Sequence, residues 1–182
     1  MKLEPTLWRT CRVLASETRL KLLWLLFEEG ELCVGQLVER AGVSRPNSSN
    51  QLRALSARGL ISFRREKMNV IYRAEANSRI DFAPGLLVAL RTCHERSVSF
   101  KPVVRQATAF THERRIEIIR TLNGKKLPFG VLQDATGISP SALSRHLEKL
   151  EARGFIKRTK NLYRLGRPSN PLGRELLGIV CS

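Results

Sequence analysis

The chain is expected to be mainly α-helical with small β-hairpins, and to contain one domain twice. Three observations predict this. Aligned at an offset of 95, residues 42–61 (GVSRPNSSNQLRALSARGLI) and 137–156 (GISPSALSRHLEKLEARGFI) agree at nine of twenty positions, which reads as an internal duplication. Most apolar residues recur at helical spacing and are punctuated by glycines and prolines at sites where helices start and stop. Late in each copy, two short β-prone runs bracket a basic turn. The match continues upstream at offset 96, where residues 16–26 (SETRLKLLWLL) face 112–122 (HERRIEIIRTL) and residues 6–14 face 102–110.

Each copy opens with a helix, residues 5–14 or 102–109, that begins at a proline, a residue tolerated in a first helical turn. A second helix follows Ser16, which serves as its N-cap. Its residues Leu20, Leu22, Leu23, Leu25 and Leu26 lie nearly all round, which predicts the buried axis of the domain. The third helix carries Val34, Leu37, Val38 and Ala41 on one face, and Gly42 or Gly137 closes it in the left-handed conformation. The fourth starts from Ser44 or Ser139 as N-cap and ends at Gly59 or Gly154. Leu143, Leu147 and Leu150 face the core. The first copy keeps Leu52 and Leu55 but has Ser48 opposite Leu143, a softer position. Ile61-Ser62-Phe63 and Val70-Ile71-Tyr72 then flank the turn at residues 64–69, as Phe155-Ile156 and Leu162-Tyr163 flank residues 157–161. Final helices are expected at 86–97, after Pro84-Gly85, and at 172–180, after Pro171. This is the order of a winged helix-turn-helix domain, here in tandem: residues 1–82, a connecting helix of the dimerisation type at 83–101, and residues 102–182.

Composition narrows the function. The 182 residues hold 32 Lys and Arg against 16 Asp and Glu, net +16. Residues 1–100 carry 16 basic and 10 acidic side chains, net +6, and residues 101–182 carry 16 and 6, net +10. Both halves are basic, and a polyanion is the partner that best relieves their self-repulsion. The longest apolar run is six residues, 22–27, far below the roughly 20 of a membrane span. The start Met1-Lys2-Leu3-Glu4-Pro5 lacks the apolar stretch of a signal peptide. Four cysteines without a CxxC pair point to a reducing, cytoplasmic setting. With two aspartates, three histidines in unrelated elements and no phosphate loop or nucleophile elbow, no enzymatic activity and no cofactor are expected.

The first copy resembles the ArsR family of winged-helix repressors, named for arsenical resistance. The matching stretches are residues 14–26 (LASETRLKLLWLL), 31–44 (ELCVGQLVERAGVS) and 51–61 (QLRALSARGLI). The second copy is similar to it most through residues 137–156, whose Ser144-Arg145-His146-Leu147 run is typical of the family's recognition helix. The resemblance implies transcription regulation, repression in the first place. Two departures stand out. Family members are usually single-domain homodimers. The arsenic-sensing version also carries Cys-x-Cys where this chain has Cys33-Val34-Gly35, so that chelate cannot form. Nor does Cys93-His94-Glu95 reproduce the family's Asp and His pattern on the last helix.

In a winged helix the first turns of the recognition helix enter the major groove and the wing follows the backbone. With the leucines inward, Ser141, Arg145 and Glu148 point outward in the second copy. Pro46, Asn50 and Arg53 do so in the first, flanked by Asn47 and Ser49 and led by Arg45. Asn can bond an adenine edge and Arg a guanine edge, so Arg45, Asn47, Asn50 and Arg145 are the candidates for base contact. Ser44, Ser49, Ser139, Ser141 and Ser144 suit phosphate or base hydroxyl bonds, with capping as the competing role of Ser44 and Ser139. His146 sits at the stripe edge, where a boundary hydrogen bond competes with base reading. Arg64, Arg65, Lys67, Lys157, Arg158 and Lys160 of the wings suit phosphates or the minor groove.

The expected function is thus a sequence-specific double-stranded DNA-binding regulator reading two dissimilar half-sites. Two other readings stand beside it. One is a winged-helix protein-interaction module; the other is a metal- or thiol-responsive sensor using Cys11, Cys33 and Cys93, whose competing role is that of small buried hydrophobes. For assembly, an internal pseudo-dimer is favoured over a homodimer. In the homodimer, Leu86, Leu87, Val88 and Leu90 would be free to pair with a second chain.

Overall fold

The computed structural model describes residues 5–182, which fold as one series of elements run through twice. The first copy comprises α1 (Leu7–Leu14), α2 (Glu17–Glu29), β1 (Glu31–Cys33), α3 (Val34–Ala41), α4 (Arg45–Ser56), β2 (Ser62–Glu66), β3 (Asn69–Arg73) and α5 (Ala83–Glu95). The second comprises α6 (Phe100–Ala107) with a 3-10 turn at Thr108–Phe110, α7 (Glu113–Thr121), β4 (Leu127–Pro128), α8 (Phe129–Thr136), α9 (Pro140–Ala152), β5 (Ile156–Thr159), β6 (Leu162–Leu165) and α10 (Pro171–Cys181). The architecture is mainly α, with two winged helix-turn-helix units.

Several expected boundaries move for local reasons. Pro5 precedes α1 instead of opening it, and Thr6 takes the extended N-cap conformation. α6 starts from Ser99, so Pro102 lies inside its first turn, where no N–H is missed. α5 likewise begins at Ala83, ahead of Pro84. The wings are tighter than expected. Pairing runs out to Glu66↔Asn69 and Thr159↔Leu162, leaving two-residue turns in which Lys67 and Lys160 adopt positive φ. Arg64, Arg65, Lys157 and Arg158 are therefore strand residues, not turn residues. Each wing also gains a third strand, in the orders β1-β3-β2 and β4-β6-β5.

The glycine stops form as expected. Beyond α4, Leu60 N–H donates to Leu55 O (3.2 Å) and Gly59 N–H to Ser56 O (2.9 Å), with Gly59 at φ +68°. Beyond α9, Phe155 donates to Leu150 O (3.0 Å) and Gly154 to Glu151 O (2.9 Å). This is the left-handed stop that closes a helix and turns the chain into the wing. Ser48 is fully buried and its hydroxyl finds no partner among the described residues, whereas Leu143 fills the matching place in the second copy.

The core passes from one copy into the other. Leu20, Leu22, Leu23 and Leu26 make α2 the buried axis of its unit, and Ile116, Ile118 and Ile119 do the same for α7. Between the copies, α5 packs on α10 and α1 on the Thr108–Phe110 turn. Leu86, Leu90 and Cys93 face Leu172, Leu176 and Val180 in this seam, all buried. The Glu175 side chain of α10 lies against Gly85 of α5. Trp24 meets Phe100 at 5.7 Å between ring centroids, and Arg12 Nε donates to Thr111 O (3.2 Å). Burying leucines at about 1.5–3 kcal/mol each makes this a strong seam. Leu86, Leu87 and Leu90 are thus covered within the chain, and of the four residues considered for pairing with a second chain only Val88 stays exposed, at 66%.

Candidate nucleic-acid interface

The core-facing residues of each fourth helix decide what is presented outward. Ser48, Leu52 and Leu55 of α4 are buried, as are Leu143, Leu147 and Leu150 of α9. Opposite them Ser44, Arg45, Pro46, Asn47, Asn50 and Arg53 are exposed, with Ser49 half-buried. On α9, Ser139, Ser141, Arg145 and Glu148 are exposed, and Ser144 and His146 half-buried. Left-handed Gly42 (φ +64°) and Gly137 (φ +61°) turn the chain into both helices. Ser44 and Ser139 hold the N-cap backbone position of α4 and α9, yet neither hydroxyl makes a capping bond. A proline stands in the first two positions of each helix, so one of its first amide donors is already absent. The expected capping role of these side chains therefore falls away.

The wing cations are exposed but unequal. Arg64 is held by Glu31 (2.6 Å) and Glu66 (3.0 Å), and its hydrogen bond to Glu31 holds its pKa above the usual arginine value. Arg158 lies over the Tyr163 ring (5.6 Å) with Nε on Lys160 O (3.3 Å). Arg65, Lys67, Lys157 and Lys160 carry no ion pair among the described residues. Met68, fully exposed, sits beside Lys67 at the tip of the first wing.

Behind each recognition helix stands an arginine from the second helix of its copy, α2 or α7. Arg19 of α2 donates to Val13 O (2.5 Å) and through Nη1 to Gln51 Oε1 (2.8 Å); Gln51 Nε2 in turn donates to Asn47 Oδ1 (2.8 Å). This relay fixes the Asn47 amide and leaves its Nδ2 donor outward. Arg115, the residue matching Arg19 at offset 96, bonds Ala109 O, Thr108 O (3.4 Å) and Thr111 Oγ1 (2.7 Å). It is buried, and burial together with Arg153 lowers its pKa to about 10. His146 replaces Gln51 here. It makes no hydrogen bond among the described residues and instead packs on His112, ring centroids 4.9 Å apart. Burial first, then the charges of His112 and Arg115, lower the His146 pKa to about 4. The repeated arginine was the available signal for both anchors; His112 carried none, because it stands where the first copy has a capping serine.

Cys11, Cys33 and Cys93 are not gathered. Among the described residues no group of three His, Cys, Asp or Glu side chains could hold a metal ion. Cys11 and Cys93 are buried and burial raises both thiol pKa values, so neither is a reactive thiolate. A metal site built from all three cysteines thus has no ligand group among the described residues; the thiols lie on α1, the edge strand β1 and α5. No described helix is long and apolar enough to cross a membrane.

Two helix-turn-helix units with polar leading turns and basic wings define a nucleic-acid-binding regulator class. Comparison with known proteins agrees. The sequence model of the family described as bacterial regulatory protein, arsR family, matches residues 16–62 and again 112–158. The chain belongs to the ArsR family of bacterial regulatory proteins, whose model it matches twice. It is 37% identical over 62 residues to the arsenic resistance transcriptional regulator ArsR1 of Pseudomonas putida, a match covering 34% of this chain and 48%, about half, of that relative. A crystal structure of a possible transcriptional regulatory protein fragment from Mycobacterium bovis is 33% identical, covering 40% of this chain and 76% of that one at a TM-score of 0.35.

Proposed function

We propose that the chain is a sequence-specific repressor that binds double-stranded DNA as an internal pseudo-dimer, one recognition helix per half-site. The observation that carries this reading is the pairing of α5 with α10 inside one chain. Helices of this type usually serve the family's homodimer, and here each finds its counterpart within the chain. The leading residues then differ, Arg45-Pro46-Asn47 against Pro140-Ser141-Ala142, so the half-sites differ too. Their centres lie about 34–36 Å apart, one turn of duplex. Arg65, Lys67, Lys157 and Lys160 supply sequence-independent phosphate contacts beside them.

Selection of ligands from random duplexes with the full chain tests this. The expected product is an asymmetric site with two unlike half-sites, which represses when placed over a promoter. Two identical half-sites would contradict the pseudo-dimer. No enrichment, with no retention of random duplex at about 50 mM salt, where the backbone attraction is strong, would favour a protein-interaction module instead.

A further inference from the structure

The two recognition helices differ most in what stands behind them. Beside α9 a cavity of about 600 Å³ opens between the start of α7, the α8–α9 turn and the outward side of α9. Its wall includes His112, Arg115, Ser139, Arg145, His146 and Lys149, and no carboxylate lines it. The corresponding positions of the first copy hold Ser16, Arg19, Ser44, Asn50, Gln51 and Ala54. Of these only Arg19 is charged, and it is engaged with Gln51 and backbone carbonyls. One copy thus presents amides where the other presents Arg115, Arg145 and Lys149 without an ion pair among the described residues; Arg114, also in the wall, is paired with Glu117 (3.1 Å).

The charge in this cavity is unbalanced in the free protein. Burial, then Arg115 and Arg153, press Lys149 toward its neutral form. Around His146 stand His112 and Arg115 from α7 and its N-cap, and Arg145 and Lys149 from α9, all opposing a positive ring. Around His112 stand Arg12 from α1 and Arg114 and Arg115 from α7, against the single carboxylate of Glu113. A group with negative charge and several acceptor oxygens would relieve all of these at once. The Ser139 hydroxyl makes no capping bond at the leading end of α9, whose dipole also favours an anion, and the exposed Arg145 stands in the second turn of that helix.

We propose that the cavity formed by His112, Ser139, Arg145, His146 and Lys149 binds a backbone phosphodiester of the duplex, anchoring the recognition helix of the second copy beside its half-site. This rests on the DNA-binding reading above and deepens it. The phosphate ties down α9.

The test uses the full chain, with the histidine ring signals followed by NMR across pH and DNA binding followed by gel shift. The probes are a random-sequence duplex and, separately, inorganic phosphate. In the free protein His146 titrates far below an ordinary histidine. On adding duplex its midpoint should rise by a unit or more, and Arg145→Ala with Lys149→Ala should abolish that rise. The same double variant should weaken specific and random duplex alike, roughly tenfold at moderate salt, and make the log–log salt slope shallower by about 1, one phosphate lost. If the duplex binds while the His146 midpoint stays put, the DNA-binding reading stands and the phosphate assignment is overturned. If inorganic phosphate raises the midpoint and no duplex binds, the cavity is a site for a free anion and the phosphodiester assignment is overturned. If neither probe moves it, the cavity holds no anion.

Discussion

At the scale of single residues, burial was legible and hydrogen bonding was not. Leucine spacing alone placed Leu52, Leu55, Leu143, Leu147 and Leu150 inward, and all five are buried. The same pattern could not tell that Ser44 and Ser139 leave their helix ends uncapped, nor that Gln51 links Arg19 to Asn47, because such bonds depend on rotamers set by neighbouring helices. The relay bears on specificity. Asn47 Oδ1 is bonded to Gln51, so in the proposed complex its Nδ2 donor is the group expected to meet an acceptor on a base edge. Asn47→Ala should lose about 1–3 kcal/mol on the selected site and little on random DNA. Lys157→Ala, by contrast, should weaken both equally; fluorescence anisotropy on the two duplexes separates these outcomes, and equal losses for Asn47→Ala would remove it as a base reader. His146 gives a second prediction. Its pKa falls from the ordinary 6.5 to about 4 in the fold. Between those values the unfolded chain binds the extra proton, so stability is full above pH 6.5 and declines as pH falls toward 4. His146→Gln should flatten this decline in melting temperature, and an unchanged pH profile would show that the ring titrates normally.

At the scale of elements, helices were easier to read than strands. Apolar periodicity and glycine stops found every long helix to within a few residues. β1 and β4 escaped, since three residues and two residues are too short to show an alternation, and they form only by pairing with β3 and β6. The helix stops offer a sharp comparison. A Cβ at Gly59 would press on Ile80 Cδ1 (2.5 Å) and Asn77 Cβ (3.0 Å), whereas at Gly154 its nearest neighbour is Arg167 O at 3.9 Å. Both positions have positive φ, which costs an alanine about 1–2 kcal/mol. Gly59→Ala should therefore lose more stability in urea unfolding than Gly154→Ala. Equal losses would mean that the 77–80 segment yields freely.

At the scale of the molecule, the duplication and the basic balance were plain from the sequence, while the seam between copies was only half visible. The apolar residues of α5 were evident, but the short final helix gave no sign that Leu172, Leu176 and Val180 suffice to cover them. A helix of 11 residues packed on α5 does so. If both recognition helices and both wings engage, roughly 8 phosphates are neutralised and the log–log salt slope should be near −7; a slope shallower than about −3 would mean that one copy stays off the duplex. The most direct test of the internal pseudo-dimer is sedimentation equilibrium of the full chain, alone and on its selected duplex. An internal pseudo-dimer gives the single-chain mass of 20.6 kDa at low micromolar concentration and one chain per duplex. A free mass of about 41 kDa, twice that of one chain, or two chains on one operator would contradict it.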